Sequence, residues 1–98
     1  MMIKARAKIN LYKGENKRQA PFTSGYRPLF SFIQETKTSG KITILNGKDL
    51  KPGDSDIVEI TFLNKEYLGK DFGVGTTFKF YESKEPLGEG EILEVLKN

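Results

Sequence analysis

The residues of this chain best suited to chemistry are the cations of a polar loop near its amino end. Lys13, Lys17 and Arg18 fall within six residues, and the amide Gln19 follows them directly. Ammonium and guanidinium groups on a loop can hold phosphate oxygens, and a guanidinium can hold two oxygens at once. The three cations therefore predict a loop that binds phosphate.

Catalytic chemistry is limited by the residue types that are missing. The chain has no His and no Cys, so it lacks the commonest general base, the thiolate nucleophile and the preferred zinc ligands. Carboxylates remain at Asp54, at Asp56 and at the glutamates from Glu82 to Glu94. Their pattern is typical of solvated strand edges and loops, and it lacks the further ligands and the glycine of a calcium loop. We expect no enzyme activity, no metal, no cofactor and no small-molecule substrate.

Length and composition indicate a single domain over residues 1–98. No run of about 18 apolar residues occurs, so we expect no membrane span. The segment from Met1 to Lys8 alternates charged and apolar residues, unlike the apolar stretch of a signal peptide. The absence of Cys fits a reducing compartment, and we expect a cytoplasmic protein.

Alternation of apolar and polar residues is the main structural signal. Every second residue from Ile3 to Leu11 is apolar, and Lys4, Arg6 and Lys8 lie between them, which predicts a half-buried strand with a basic outer face. Further strands are predicted over Leu29–Gln34, Lys41–Leu45, Asp56–Leu63, Thr76–Glu82 and Gly90–Leu96. No segment has helical periodicity over eleven residues, so the pattern favours an antiparallel sandwich or barrel.

Turn residues separate these strands. Asn46-Gly47 and Pro52-Gly53 are strong turn signals, whereas the segment from Asn64 to Gly69 has room for one loose helical turn. We assign Gly88 and Gly90 to a tight hairpin or a bulge. The predicted core is Phe30, Phe32, Ile42, Val58, Ile60, Phe62, Phe78 and Phe80.

Charge is distributed unevenly along the chain. Residues 1–51 contain eleven Lys or Arg and three acids, and residues 52–98 contain five Lys or Arg and ten acids. A polarised molecule can direct one face toward an anion. In a barrel the two halves of the sequence interleave, so the asymmetry suggests a basic face without locating it.

Several segments resemble, in the same order, the C-terminal β-barrel (domain 3) of elongation factor Tu. The segment from Arg18 to Phe30 resembles its opening motif, Arg-His-Thr-Pro-Phe, a short loop and Tyr-Arg-Pro-x-Phe. Four later segments match a strand start, a Met-Pro-Gly-Asp turn and the closing hairpin: Thr38–Ile42, Lys51–Asp54, Phe78–Glu82 and Leu87–Gly90. The resemblance runs from Ile3 to Leu96 and implies an all-β fold, a six-stranded antiparallel, Greek-key-like β-barrel.

The resemblance also implies an RNA-contacting surface. Arg18 matches an arginine that contacts the T-stem backbone of aminoacyl-tRNA, and Gln19 replaces the neighbouring histidine. Ser39 stands where a tRNA-contacting threonine usually lies, and Glu82 matches a glutamate in a loop near the T-stem. The predicted RNA- or phosphate-binding residues are therefore Lys13, Lys17, Arg18, Gln19, Ser39 and Glu82.

The chain departs from this pattern in the loop that follows Phe80. Tyr81 and Glu85 replace two arginines, and Ser83 and Lys84 replace two glycines that would let RNA approach the backbone. No phosphate-binding Gly-x-x-x-x-Gly-Lys-Ser/Thr run occurs, because Gly69-Lys70 is followed by Asp71. We therefore expect no GTP binding.

Three functions stay open at this stage. The first is a non-catalytic, translation-factor-like module that binds tRNA weakly through a basic loop. The second is a protein-interaction or decoy module that engages translation-factor partners, and the acidic Glu85 favours it over tRNA binding. The third is an enzyme built on carboxylates.

Overall fold

Six antiparallel strands close into a barrel in the computed structural model, which describes residues 2–14, 21–33 and 36–96. The strands are β1 Ile3–Leu11, β2 Leu29–Ile33, β3 Thr36–Ile44, β4 Ser55–Phe62, β5 Thr77–Tyr81 and β6 Pro86–Leu96. A single 3₁₀ turn, Lys65–Tyr67, is the only helical element of the described residues. The predicted all-β barrel and the one loose turn are both confirmed.

The order of strands around the barrel is β1-β4-β3-β2-β5-β6, and β6 pairs with β1 to close it. β2, β3 and β4 follow one another in the sequence and also lie side by side in the barrel. β1 lies on the other side of β4, so these four strands form a Greek key. The first strand therefore lies between two strands from the second half of the chain. This placement determines which charges meet on the outer surface.

The core is built mainly from phenylalanine rings. The Phe30 ring packs edge-on against Phe62, with ring centroids 5.1 Å apart, and it also contacts Phe78 and Phe80. Seven of the eight predicted core residues are buried, namely Phe30, Ile42, Val58, Ile60, Phe62, Phe78 and Phe80.

The prediction is wrong for Phe32, which is only partly buried. It lies near the end of β2, where the sheet no longer surrounds it on all sides. The ring of Phe72, from a loop, packs edge-on against it at 5.3 Å between centroids and covers part of it.

Three glycines face the interior and make room for these rings. A Cβ on Gly88 would lie 2.4 Å from Phe80 Cζ, and one on Gly90 would lie 2.6 Å from Phe78 Cζ. A Cβ on Gly40 would lie 2.8 Å from Phe30 Cε1. Each glycine therefore leaves a volume that a phenylalanine from the neighbouring strand fills.

Two predicted strand boundaries are wrong, and both lie close to these glycines. β3 starts at Thr36 instead of Lys41, and β6 starts at Pro86 instead of Gly90. The inward residues of the missed segments are mostly small, so the apolar alternation was hidden. Gly88 and Gly90 lie inside β6, so the hairpin alternative is wrong. The register shifts beside Gly88, where Leu87 is the extra residue, which agrees with the bulge alternative.

The described residues 21–28, which precede β2, pack against the barrel. Phe22 is buried and bridges Leu50, and its ring stacks on Tyr26 with centroids 4.5 Å apart. Gly47 and Gly53 adopt positive φ angles of 76° and 90°, so the two predicted turns are confirmed. These loops adjoin the candidate site.

Candidate nucleic-acid interface

The residues predicted for phosphate binding are only partly assembled by the described structure. Lys13 is exposed, and its side chain lies beside Gly53, next to the start of β4. Ser39 lies on β3, two strands away from β1. Lys17, Arg18 and Gln19 lie outside the described residues, so their predicted role stays a prediction.

Glu82 is engaged by the protein itself. It follows β5, and its Oε1 accepts a hydrogen bond from the hydroxyl of Tyr26. Tyr26 in turn bridges Ile42 on β3. The Glu82 carboxylate therefore ties the segment before β2 to the end of β5, and an anion at this position would repel phosphate.

The outer face of β1 carries the cations that the sequence predicts, but flanking acids neutralise them. Lys4 Nζ lies 3.8 Å from Glu59 Oε1 of β4, and Arg6 Nη1 lies 3.6 Å from Glu94 Oε1 of β6. Lys8 stands opposite another acid, Glu91. The uneven charge of the sequence is balanced here because β1 lies between β4 and β6.

A different strand presents cations that acids do not balance. Lys37, Ser39 and Lys41 alternate with the buried Thr38 and Gly40 along β3, so they share its outer face. With a rise of about 3.4 Å per residue, the backbones of the two lysines are roughly 13 Å apart, and the serine hydroxyl lies between them.

Arg27 adds a third cation to this face. Tyr26 bridges Ile42, and the Gly40 amide donates to the Pro28 carbonyl, so the exposed Arg27 lies beside Lys41. We call Arg27, Lys37, Ser39 and Lys41 the β3 basic face. On the described outer positions of β2 and β3 no acid occurs.

The cations of the β3 basic face are available to a ligand. Arg27 and Lys41 form no ion pair with any other residue that the structure describes. The Lys37 ammonium lies 4.5 Å from the centroid of the Tyr81 ring, a cation–π contact that phosphate could replace. The face therefore combines three cations and a hydroxyl, which suits phosphate and sugar oxygens.

A groove of about 620 Å³, with a mixed polar and apolar lining, lies on the neighbouring outer surface, across β1, β6, β5 and β2. Its lining includes Lys8, Asn10, Lys79, Tyr81, Glu89 and Glu91. A smaller recess of about 360 Å³ adjoins it, and Ser31 and Tyr81 line both. Lys37 also lines the recess, so the recess connects the groove with the β3 basic face.

A hydrogen bond at the edge of this groove changes the pKa of Tyr12. Tyr12 donates its hydroxyl proton to Glu89 Oε1. Burial, this hydrogen bond and the negative charge of Glu89 raise the pKa of Tyr12 from 10.0 to about 12, and the nearby Tyr81 contributes as well.

Three residues of the β3 basic face were missed in the sequence, namely Arg27, Lys37 and Lys41. A signal was present, because Lys37, Ser39 and Lys41 are spaced at period two. It was missed because the strand was predicted to start at Lys41. Arg27 could not be found in this way, since its position beside Lys41 depends on long-range bridges.

Other classes of site are not indicated by the described residues. No group of three or more His, Cys, Asp or Glu is placed to hold a metal ion in residues 2–14, 21–33 and 36–96. Within the same ranges, no helix has the length and apolar character needed to cross a membrane. A scan against models of known protein families finds no match for the chain.

Proposed function

We propose that this protein is a cytoplasmic, non-catalytic RNA-binding module of the elongation factor Tu domain 3 type. It contacts tRNA weakly, through phosphate attraction at the β3 basic face. The loop that contains Lys13, Lys17 and Arg18 adds further cations. The observation that carries the proposal is the arrangement of Arg27, Lys37 and Lys41 around Ser39, with no acid on the same described face.

The chemistry of this face supports weak binding that does not depend on the aminoacyl group. Contacts to phosphate oxygens position a protein on RNA, but they carry no information about sequence or about a distant aminoacyl end. Glu82 and Glu85 add negative charge after β5, where the barrel that the chain resembles has arginines around its glutamate. We expect a Kd in the non-specific range, roughly 10⁻⁴–10⁻⁶ M at physiological salt.

Gel shifts with charged and uncharged tRNA at two salt concentrations test this proposal. We expect equal affinity for both forms and a steep loss of binding as salt increases, because phosphate contacts release counterions. Tight, salt-resistant binding that favours charged tRNA would contradict the proposed mode. No detectable binding at low salt would contradict RNA binding itself.

A matched pair of variants locates the contact. Lys41→Gln removes an unpaired cation from the β3 basic face, whereas Lys4→Gln removes a lysine already paired with Glu59. We expect Lys41→Gln to weaken tRNA binding and to reduce the salt slope by about 0.7–0.9 for each lost phosphate contact. Lys4→Gln should have a smaller effect, and equal effects would place the contact elsewhere.

A protein-interaction or decoy module remains the second candidate, and one surface feature favours it. Leu45, directly after β3, and Ile57 on β4 are exposed, with 47% and 43% of their surfaces accessible, and the pairing of Ile44 with Val58 brings them near each other. Neighbouring exposed apolar side chains are suited to a protein partner. A pull-down that recovers a translation-factor partner after nuclease treatment, and that fails with the Ile57→Asp variant, would support this candidate.

A further inference from the structure

The outer surface beside the β3 basic face has a second binding feature, which phosphate attraction does not explain. The groove across β1, β6 and β5 has a volume of about 620 Å³, within the range of small-ligand sites. Its described charges balance, because Lys8 and Lys79 oppose Glu89 and Glu91. It therefore favours neither an anion nor a cation.

The lining of the groove suits a flat, neutral ligand with an apolar face and a polar edge, because Ile9, Phe78 and Leu93 line it together with the polar groups. Ammonium and amide groups of Lys8, Lys79 and Asn10 can donate hydrogen bonds, and the two glutamates can accept them. Tyr81 supplies an aromatic ring at one side. A nucleobase has this combination of a π face and an edge with donors and acceptors.

Tyr81 also connects the groove with the cations of β3. Its strand, β5, lies between β6 and β2, and its ring carries the Lys37 ammonium at 4.5 Å. A base bound against Tyr81 would therefore lie next to Lys37, which belongs to the β3 basic face. The neutral site for a base and the cationic site for phosphate are thus adjacent.

We propose that Tyr81 and the groove beside it bind one unpaired nucleotide, with the base against the Tyr81 ring and the phosphate on Lys37 and Lys41. This inference rests on the proposed RNA binding and specifies that the RNA is unpaired at the point of contact. Base–aromatic stacking is sequence-tolerant, because every base has a π face. The site therefore selects single strands without selecting a sequence.

Binding of oligouridylate and of an RNA duplex of the same length to the full chain, at one salt concentration, tests the inference. The chain contains no Trp, so its fluorescence comes from four tyrosines, and a base against Tyr81 should quench the share that Tyr81 contributes. We expect oligouridylate to bind more tightly than the duplex and to quench the fluorescence. Preference for the duplex, with no quenching, would overturn the nucleotide site but would leave phosphate binding intact.

Variants of Tyr81 provide the decisive comparison. Tyr81→Leu should weaken oligouridylate binding by roughly 5- to 150-fold, the range expected for one stacked base, and should leave duplex binding unchanged. Tyr81→Phe retains the ring and should retain binding, and Tyr67→Leu removes an exposed tyrosine elsewhere as a control. An unchanged affinity in a Tyr81→Leu protein that keeps its circular dichroism spectrum would overturn the inference.

Adenosine monophosphate distinguishes a free nucleotide from a nucleotide within a strand. Quenching by adenosine monophosphate that Tyr81→Leu abolishes would identify the site as one for free nucleotides. Quenching by oligouridylate alone would show that the neighbouring phosphates are needed. If neither ligand binds and the duplex fails as well, both the nucleotide site and the proposed function are wrong.

Discussion

At the scale of single residues, the contact between Tyr12 and Glu89 joins stability to pH. Tyr12 extends from the end of β1, and Glu89 faces outward from β6, so their hydrogen bond spans the pair of strands that closes the barrel. The bond requires a protonated phenol as the donor. Ionisation of Tyr12 would break it and would place two negative charges side by side.

We predict that one tyrosine of the native protein ionises near pH 12, and that Tyr12→Phe removes this ionisation. The pKa of Tyr12 is higher in the folded chain than its ordinary value of 10.0, so its stabilising contribution is complete below pH 10. That contribution is lost as the pH rises from about 10 to 12. The phenolate absorbance, followed as a function of pH, measures the titration.

Glu89→Gln should lower the pKa of Tyr12, because it removes the negative charge and a strong acceptor. Glu91→Gln is the control, since Glu91 lies on the same face of β6 without a bond to Tyr12. If a tyrosine still ionises near pH 12 in the Tyr12→Phe variant, the raised pKa belongs to another residue.

At the scale of elements, the two strands with misplaced boundaries share one physical cause. The outward residues of β3 and β6 alternate regularly, but the inward residues of the missed segments include Gly40 and Gly88. A strand with small inward residues can be recognised only together with the partner that fills the space. Alternation of apolar side chains predicted β1 and β4 closely, because the inward side chains of these two strands are themselves apolar and so show the pattern.

The same dependence explains what could be predicted of the candidate site. Ser39 was found through the resemblance to a known barrel, and Lys13 through its place in a cationic loop. Lys37 and Lys41 lie on a strand whose start was hidden, and Arg27 joins them through pairing over long sequence distances. A single sequence shows which residues alternate, but it does not show which strands lie next to each other in the sheet.

We predict that Gly88→Ala destabilises the protein by about 1–3 kcal/mol or more, because the added methyl group overpacks the interior. Its Cβ would lie 2.3 Å from the Asn10 carbonyl oxygen and 2.4 Å from Phe80 Cζ, so backbone as well as ring would have to move. Urea denaturation measures the loss.

Gly73→Ala is the matched control. A Cβ at Gly73 meets no atom within 4 Å, and its backbone is outside the left-handed region. We expect a neutral or slightly stabilising effect, since Ala restricts the unfolded chain. Similar losses for Gly88→Ala and Gly73→Ala would show that the ring of Phe80 does not need the space at Gly88.

At the scale of the whole molecule, the barrel has one core and little stability in reserve. Domains of this size are stable by about 5–15 kcal/mol, so one buried ring is a large part of the total. Phe80 is fully buried between β2 and β6, whereas Phe32 is partly exposed near one end of the barrel. The two rings should therefore contribute unequally.

We predict that Phe80→Ala costs about 3–5 kcal/mol, the range for a buried phenylalanine. Phe32→Ala should cost clearly less, because part of its ring already contacts water in the native protein. Urea or thermal unfolding of the two variants makes the comparison. Equal losses would mean that the loop carrying Phe72 shields Phe32 as fully as the sheet shields Phe80.

Closure of the barrel has a consequence for how any partner can attach. All six described strands are hydrogen-bonded to a neighbour on both sides, because β6 returns to β1. No described strand therefore offers an edge that is free along its whole length for β-augmentation, the mode in which an extended peptide binds a free strand edge. Recognition must come from side chains on the outer faces and end loops, so substitutions there can change the partner while the backbone scaffold stays the same.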